Sequence, residues 1–523
     1  MHTYISRSAA ALALAALACG PASSSTGDTD DTATEPGTTA DASSTTDPGP
    51  TTDTTSEPEP TDSDPTVDPT VDPTVDPTTE SEPPPEPCAV EVVPGDHAAA
   101  TCSGGPCPIS ADVELRCGEY HFASPGLRVA ATPDAMWVAT ASESDSMLYR
   151  VTPDAATERV TLSARFARQH IHLATGPAGD LHVAAEVAIN AEGDNGVAYL
   201  SEADSFAEQT LHEGNAGAPL AGFQVEADGR PHVWHFGDGP DDYRELVGDG
   251  QGKWTSTGVA VAPGGYGTPK FGRDAQGRLL AADMREDGDL YWLGVEVDGA
   301  LVLLGEKLNS PSNWQHYVLA ASASPKPPQG PPFAGLIERP NGVEIVWPVA
   351  GGDGSDGVDV PALTVLKPQC FGDSIGEDEE CGPPCTDIAA GYEFGTPTLA
   401  RGPDGRAWVV VVTTQLAVDY SYTKICMEEI GCFCEPNVDS DASTSVVHLF
   451  RVALDGSDPV EVLTLPIPRL DLFDAFSPFA DNHVGTHAHV FDHWLAIGLR
   501  VRSPVPGQAA VRAFRVDLDA LAP

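Results

Sequence analysis

The chain has 523 residues, 78 acidic against 27 basic side chains, a formal net charge of −51 and 41% hydrophobic residues. A field of that sign repels phosphate backbones and anionic headgroups, which excludes nucleic acid as a partner and direct binding to a membrane surface. Cations and colloidal solubility fit it better.

Residues 1–18 read as an export signal: Arg7 supplies a positive start, Ser8 to Ala18 is a short Ala/Leu run, and Ala16, Leu17 and Ala18 precede Cys19. The run is too short for a bilayer, which needs about 20 apolar residues, and no later segment is long enough. The LACG at Leu17 to Gly20 resembles the cleavage motif of bacterial (myxobacterial-type) surface lipoprotein precursors. That resemblance implies cleavage after Ala18, lipid on Cys19 and, with Gly20 following, the outer membrane or cell surface. Membrane attachment would then run only through the lipid anchor. Ala16, where such signals more often carry Leu, also completes an AxA site, and that reading gives a periplasmic or secreted protein.

Residues 19–87 are a tether. From Pro21 to Pro87 there are 17 acidic residues, no Lys or Arg, and three bulky apolar residues, Val67, Val71 and Val75, so the segment has nothing with which to bury a core. Proline and like charge extend it, as in the repeat VDPTVDPTVDPT from Val67 to Thr78. The rest, from Cys88, keeps 61 acidic and 26 basic residues and is long enough for a large core.

Ten cysteines remain beside Cys19, an even number that suits an oxidising compartment. Cys88, Cys102, Cys107 and Cys117 mark an entry segment at 88–118. Cys370, Cys381, Cys385, Cys426, Cys432 and Cys434 fall late, and predict disulfide-stapled loops at 367–390 and 418–445 of neighbouring blades. Zinc is the competing reading, but no paired CxxC array is present.

Over 119–523 one pattern returns: an apolar strand, a turn on Asp, Asn or Gly, and a second strand rich in Val, Trp, Leu and His. Seven instances have turns at Asp134, Gly179, Gly229, Gly277, Gly342, Gly405 and Asp492. DG, NG and QG supply the positive φ of tight hairpins. Third strands follow at Met147, Gly196, Leu290, His448 and Ala513. Turn spacings of 45, 50, 48, 65, 63 and 87 residues predict an all-β fold, a β-propeller of seven blades, with six or eight as alternatives.

The repeat FQVEADGRPHVWHF, with its DxxGxxH turn, resembles the sialidase-like (BNR-type) propeller repeat of secreted bacterial proteins. YRELVGDGQGKW at Tyr243 to Trp254 continues the likeness as a degenerate Asp box, with Gln251 where glycine is expected. The resemblance implies architecture and not activity. Enzymes of that type use three converging arginines, and the aligned axial positions here carry Arg128, His172, Lys270 and Thr398.

Histidines two apart on a strand share a face, so His170 with His172 and His487 with His489 are candidate metal ligands near the axial channel. Against this, His182 and His232 occupy a repeat position where an imidazole satisfies a turn backbone. Acidic clusters at 191–196, 237–242 and 351–360 offer oxygen donors for calcium, though none follows an EF-hand pattern. No HExxH or GxxxxGK(S/T) motif occurs. The expectation is a non-catalytic cell-surface protein, with no catalytic residue or cofactor assigned, that binds a protein or glycan. The alternative is a secreted sialidase-like glycan hydrolase or lyase assisted by calcium or a transition metal.

Overall fold

A computed structural model describes residues 90–118, 127–141, 146–163, 166, 171–188, 195–213, 220–236, 242–260, 270–273, 279–284, 290–295, 301–303, 317–321, 333–339, 342–348, 355–360, 381, 385–392, 398–402, 404–427, 431–470, 486–503 and 508–521. All of them fall within the unit Glu82–Pro523. They form seven antiparallel sheets and no α-helix. The first sheet is Arg128–Ala131, Met136–Ala141, Ser146–Val151 and Thr157–Thr161; the second is Ile171–Thr175, Leu181–Ala188, Asn195–Ser201 and Gln209–Glu213. The third is Leu220–Val225, Pro231–Phe236, Asp242–Gly248 and Trp254–Ala260; the fourth is Lys270–Arg273, Leu279–Met284, Leu290–Val295 and Leu301–Leu303. The fifth is Tyr317–Ala321, Phe333–Arg339, Gly342–Pro348 and Ser355–Val360. The sixth is built on Thr398–Arg401, Ala407–Met427, Thr444–Val452 and Val460–Pro468, and the seventh on Thr486–Phe491, Trp494–Arg502 and Gln508–Asp517.

The opening strand of each sheet contacts the opening strand of the next, and Thr486–Phe491 of the seventh returns to Arg128–Ala131 of the first. Such a cycle is a β-propeller. Burial follows from it: Arg128–Ala131 and Thr398–Arg401 are buried along their whole length, sandwiched between sheets, whereas Thr157–Thr161 on the outside has only half-buried and exposed residues. The core is a series of slabs between neighbours. Ala130, Trp137 and Leu148 meet Leu173, Val183 and Ala185 between sheets one and two. Val410, Val447 and Leu465 meet Val490, Ile497 and Phe514 between six and seven.

The hairpins follow from their glycines. Gly179, Gly229 and Gly405 have φ of 88°, 85° and 81°, where a Cβ is strained. Each amide donates to the carbonyl three residues back, at Gly176, Glu226 and Gly402, whose own amides bond Asp180, Arg230 and Arg406. The fifth expected hairpin is corrected. Gly342 opens the third strand of its sheet, not the second, because the first, Tyr317–Ala321, is separated from the second by the Pro-rich residues 322–332. That connection is eleven residues long and the next one, 340–341, is two, so the tight-turn pattern picked out the second connection and slipped by one strand. The Asp box is less degenerate than its sequence. Gly250 and Gly252 hold the positive φ, Gln251 does not need it, and Asp249 Oδ1 accepts from Gln251 N and Lys253 N.

The entry segment 88–118 is not separate from the propeller. Glu91–Pro94 and Ile109–Gly118 add to the seventh sheet, Ile109–Gly118 pairing with Gln508–Asp517, and Thr101–Cys102 pairs with Val460–Pro468. The N-terminal strands thus complete the last sheet. The Asp112 carboxylate accepts from Arg512 Nη2 at 2.7 Å, Arg512 Nε lies 2.6 Å from its Oδ1 as an ion pair, and His97 Nδ1 lies 2.8 Å from its Oδ2.

Cys102 pairs with Cys107 and Cys426 with Cys432, and Cys117 and Cys381 are also disulfide-bonded. Cys88 and Cys370 lie outside the described residues; Cys385 begins one strand and Cys434 lies within another. The expected loop at 418–445 is instead mostly strand. Ala407–Met427 runs on past Gln415, where its pairing with Thr444 ends, and continues against Cys385–Tyr392 and Gly431–Asp441. Its disulfide closes one hairpin and joins no two blades.

Candidate functional site at the mouth of the channel

The opening strands run the same way, as successive contacts show: His487 meets Val129 and His489 meets Ala131. Arg128, His172, Lys270 and Thr398 share one register, each pairing three residues before its strand's last pair. These positions lie at one mouth of the ring. Antiparallel pairing puts the far part of Ala407–Met427 at the same end, since that strand leaves the Arg401–Ala407 pair and passes Thr398 opposite Val410.

Two of the predicted histidines are brought together along the strand Thr486–Phe491, His487 toward the mouth and His489 toward the hairpin turn. His487 Nδ1 accepts from Val129 N and His489 Nδ1 from Ala131 N, both at 3.1 Å, across the unpaired edge of the first sheet's opening strand. An amide N–H only donates, so each Nδ1 holds the lone pair and each neutral ring carries its proton on Nε2. Each ring therefore offers a donor, not the lone pair a metal needs. Burial, with Arg128 beside it and His489 next, holds His487 well below the ordinary histidine range; burial alone takes His489 down to about 4. Burial likewise lowers Arg128 to about 10, and its Nη1 donates to Leu127 O at 2.8 Å. On the other side of the same strand, Thr175 Oγ1 donates to Ala131 O at 2.7 Å.

His172 lies half-buried on the second sheet, and His170 is outside the described residues. His182 and His232 serve their blades differently from the expected turn-backbone role. His182 Nε2 lies 2.9 Å from Asp180 Oδ2 and its Nδ1 2.5 Å from Tyr199 Oη; His232 Nδ1 lies 2.8 Å from Glu245 Oε1. Carboxylates and a phenol, not the turn amides, hold these rings, because the amides are already paired within the turn. Burial lowers His182, with Asp180 opposing. Among the described residues no three His, Cys, Asp or Glu side chains gather as a metal set. Of the acidic clusters, 355–360 forms a strand, Asn195, Gly196 and Asp242 lie in others, and the rest falls outside the described residues.

Sequence reading missed the charged groups that join sheets. Glu186 Oε1 accepts from Leu220 N at 2.7 Å, linking the second sheet to the third. Arg515 Nη1 donates to Thr132 O and Ala135 O at 3.0 and 3.2 Å, and its guanidinium lies 3.9 Å over the Trp494 ring. The available signal was charge inside an otherwise apolar strand, AAVRAFRVD, where Arg512 and Arg515 interrupt the apolar run.

No family model matches the chain, and no curated protein is similar to it. Solved structures with distant likeness include AofleA from Arthrobotrys oligospora, at 11% identity over 68% of this chain and 99% of that one, with a TM-score of 0.35. The polysaccharide lyase Uly1 gives 9% identity over 76% and 91%, with a TM-score of 0.37. The SapL1 lectin, in complex with alpha methyl fucoside, gives 11% over 61% and 97%, with a TM-score of 0.34. At these scores the likenesses carry nothing about activity, and the architecture rests on this chain's own sheet order.

Proposed function

We propose that this chain is an exported, non-catalytic surface protein: lipid on Cys19 anchors it, residues 19–87 hold it away from the membrane, and the propeller binds a glycan or protein. The observation that carries the binding role is the ribbon of Ala407–Met427 and Gly431–Asp441. It continues past its own sheet at the channel mouth and is closed at its tip by Cys426–Cys432. A cross-linked ribbon has little conformational freedom left to lose on binding, which favours recognition. Asp419 and Thr423 are exposed on it, and Ser421, Tyr422 and Lys424 are half-exposed, a mixture suited to hydroxyl-rich or peptide surfaces. His487 and His489 join two sheets through their Nδ1 atoms, a structural use.

The full chain on a glycan array, with and without EDTA, tests this reading. Saturable binding without turnover, weakened by Tyr422→Ala with Lys424→Ala, is expected. Glycan cleavage that disappears on chelation would establish the hydrolase or lyase alternative instead. Labelling with a fatty-acid analogue, lost in Cys19→Ala, tests the anchor separately.

A further inference from the structure

Thr413, His448 and Glu461 stand on three adjacent strands of the sixth sheet, Ala407–Met427, Thr444–Val452 and Val460–Pro468. Val446 lies opposite Thr413, and His448, two residues on, shares its face, so the threonine and the histidine are diagonal neighbours. On the other side of His448 the register shifts: Leu449 pairs with Leu463 but Phe450 with Glu461, skipping Val462. That bulge turns Glu461 to the face of His448, a place that a regular ladder would have given to Val462. A hydrogen-bonded chain results. His448 Nδ1 lies 2.6 Å from Glu461 Oε1, and His448 Nε2 lies 2.8 Å from Thr413 Oγ1. A carboxylate only accepts, so Nδ1 carries the ring proton and donates it; Nε2 holds the lone pair, and the Thr413 hydroxyl donates to it. A hydroxyl bonded to an imidazole that a carboxylate orients is the arrangement that makes an alcohol nucleophilic. These groups reach solvent: Thr413 and His448 are half-buried and Glu461 is exposed. The Phe450 ring stacks on that of His448, 6.4 Å between centroids, and supports its plane.

We propose that Thr413 is a covalent modification site, a hydroxyl that takes an acyl group from an activated acyl donor, an aryl ester or a thioester. Thr413 Oγ1 attacks the carbonyl carbon, and its proton moves to His448 Nε2. The bond from that carbon to the leaving oxygen or sulfur then breaks, and the leaving atom takes the proton from Nε2. Thr413 ends as an ester, His448 is neutral again, and nothing is oxidised or reduced. Glu461 is a positioning residue: it holds the tautomer of His448 and favours the imidazolium formed in transit. The step is stoichiometric with the chain, so it adds a modification site to a binding protein. It rests on three side chains of the sixth sheet and not on what the ribbon recognises.

The probe is p-nitrophenyl acetate, added to the full chain. The expected result is an initial burst of about one equivalent of nitrophenol and an acetyl group that peptide mass spectrometry places on Thr413. His448→Ala is expected to slow the labelling by about 100-fold, the share of a general base. Thr413→Val should abolish it and Thr413→Ser should keep it. Glu461→Gln, whose amide oxygen still accepts from Nδ1, should slow the labelling while Tm stays as it was, which separates positioning from stability. Continued release after the burst, lost in Thr413→Val, would keep Thr413 as the nucleophile and add deacylation by water. The absence of labelling, acetyl groups only on lysines or on His448 itself, or an equal rate in a folded His448→Ala overturns the proposal. If Thr413→Val or His448→Ala does not fold, the position of the acetyl group in the unaltered chain decides alone.

Discussion

Arg515 shows how much of the fold rests on single side chains. From the last strand it reaches the first hairpin, where it donates to the carbonyls of Thr132, Pro133 and Ala135, and it covers Trp494. Arg515→Met keeps the apolar stem but strands those carbonyls, and it is expected to cost about 2–4 kcal/mol in urea unfolding. A loss under about 0.5 kcal/mol would mean that water replaces the guanidinium without penalty. His487 and His489 give a pH signature. Both are held below the histidine value of 6.5, His489 at about 4, so the unfolded chain binds more protons between those values. Stability therefore falls as pH drops below about 6.5, and the part of that loss that belongs to His489 is complete near pH 4. Replacing both by Gln, whose amide oxygen also accepts from Val129 N and Ala131 N, should flatten that part of the curve. An unchanged slope would show that the carboxylates elsewhere govern acid sensitivity.

At the scale of the element, the hairpin glycines separate two costs. Gly179 and Gly229 have nearly equal φ, 88° and 85°, so alanine meets the same backbone strain at each. A Cβ on Gly179 would stand 2.7 Å from Pro133 Cδ in the neighbouring sheet, whereas on Gly229 the nearest atom is Pro177 Cγ at 3.8 Å. Gly229→Ala is expected to cost about 1 kcal/mol. Gly179→Ala should cost about 1–3 kcal/mol more, because an overpacked site pushes two sheets apart. Equal losses at the two sites would show that the sheets shift freely. The ribbon behaves in the opposite way. Reducing Cys426–Cys432 removes a constraint worth about 2 kcal/mol on a short loop, so amide exchange should quicken at Lys424 to Gly431 and leave the seven sheets as they were.

Across the whole molecule, closure of the ring depends on strands that precede its first hairpin. A chain starting at Glu119 lacks Glu91–Pro94 and Ile109–Gly118, exposes the edge of Gln508–Asp517 and leaves the buried Arg512 without Asp112. It should fail to give a cooperative unfolding transition, whereas one starting at Cys88 should fold; equal transitions would remove closure as the source of stability. Breaking the ion pair alone, with Asp112→Ala, leaves an uncompensated buried charge and should cost about 3–5 kcal/mol.

The repeat and its hairpin turns were legible because they are local. A glycine at positive φ and a two-residue alternation leave their mark within a dozen residues, as at Gly179, Gly229 and Gly405. The fifth sheet was misplaced by one strand because Pro-rich residues replace its first turn signal. The shared register of Arg128, His172, Lys270 and Thr398 was readable by counting back from the turns. What counting could not supply was which edge His487 and His489 meet, that Asp112 finds Arg512 400 residues later, or that residues 407–441 form a ribbon. Those facts depend on ring closure, which joins segments distant in the chain, and only the tertiary structure decides it. By itself the sequence determined the alternating strands, their turns and the acidic charge, since each of these is set by neighbours a few residues away.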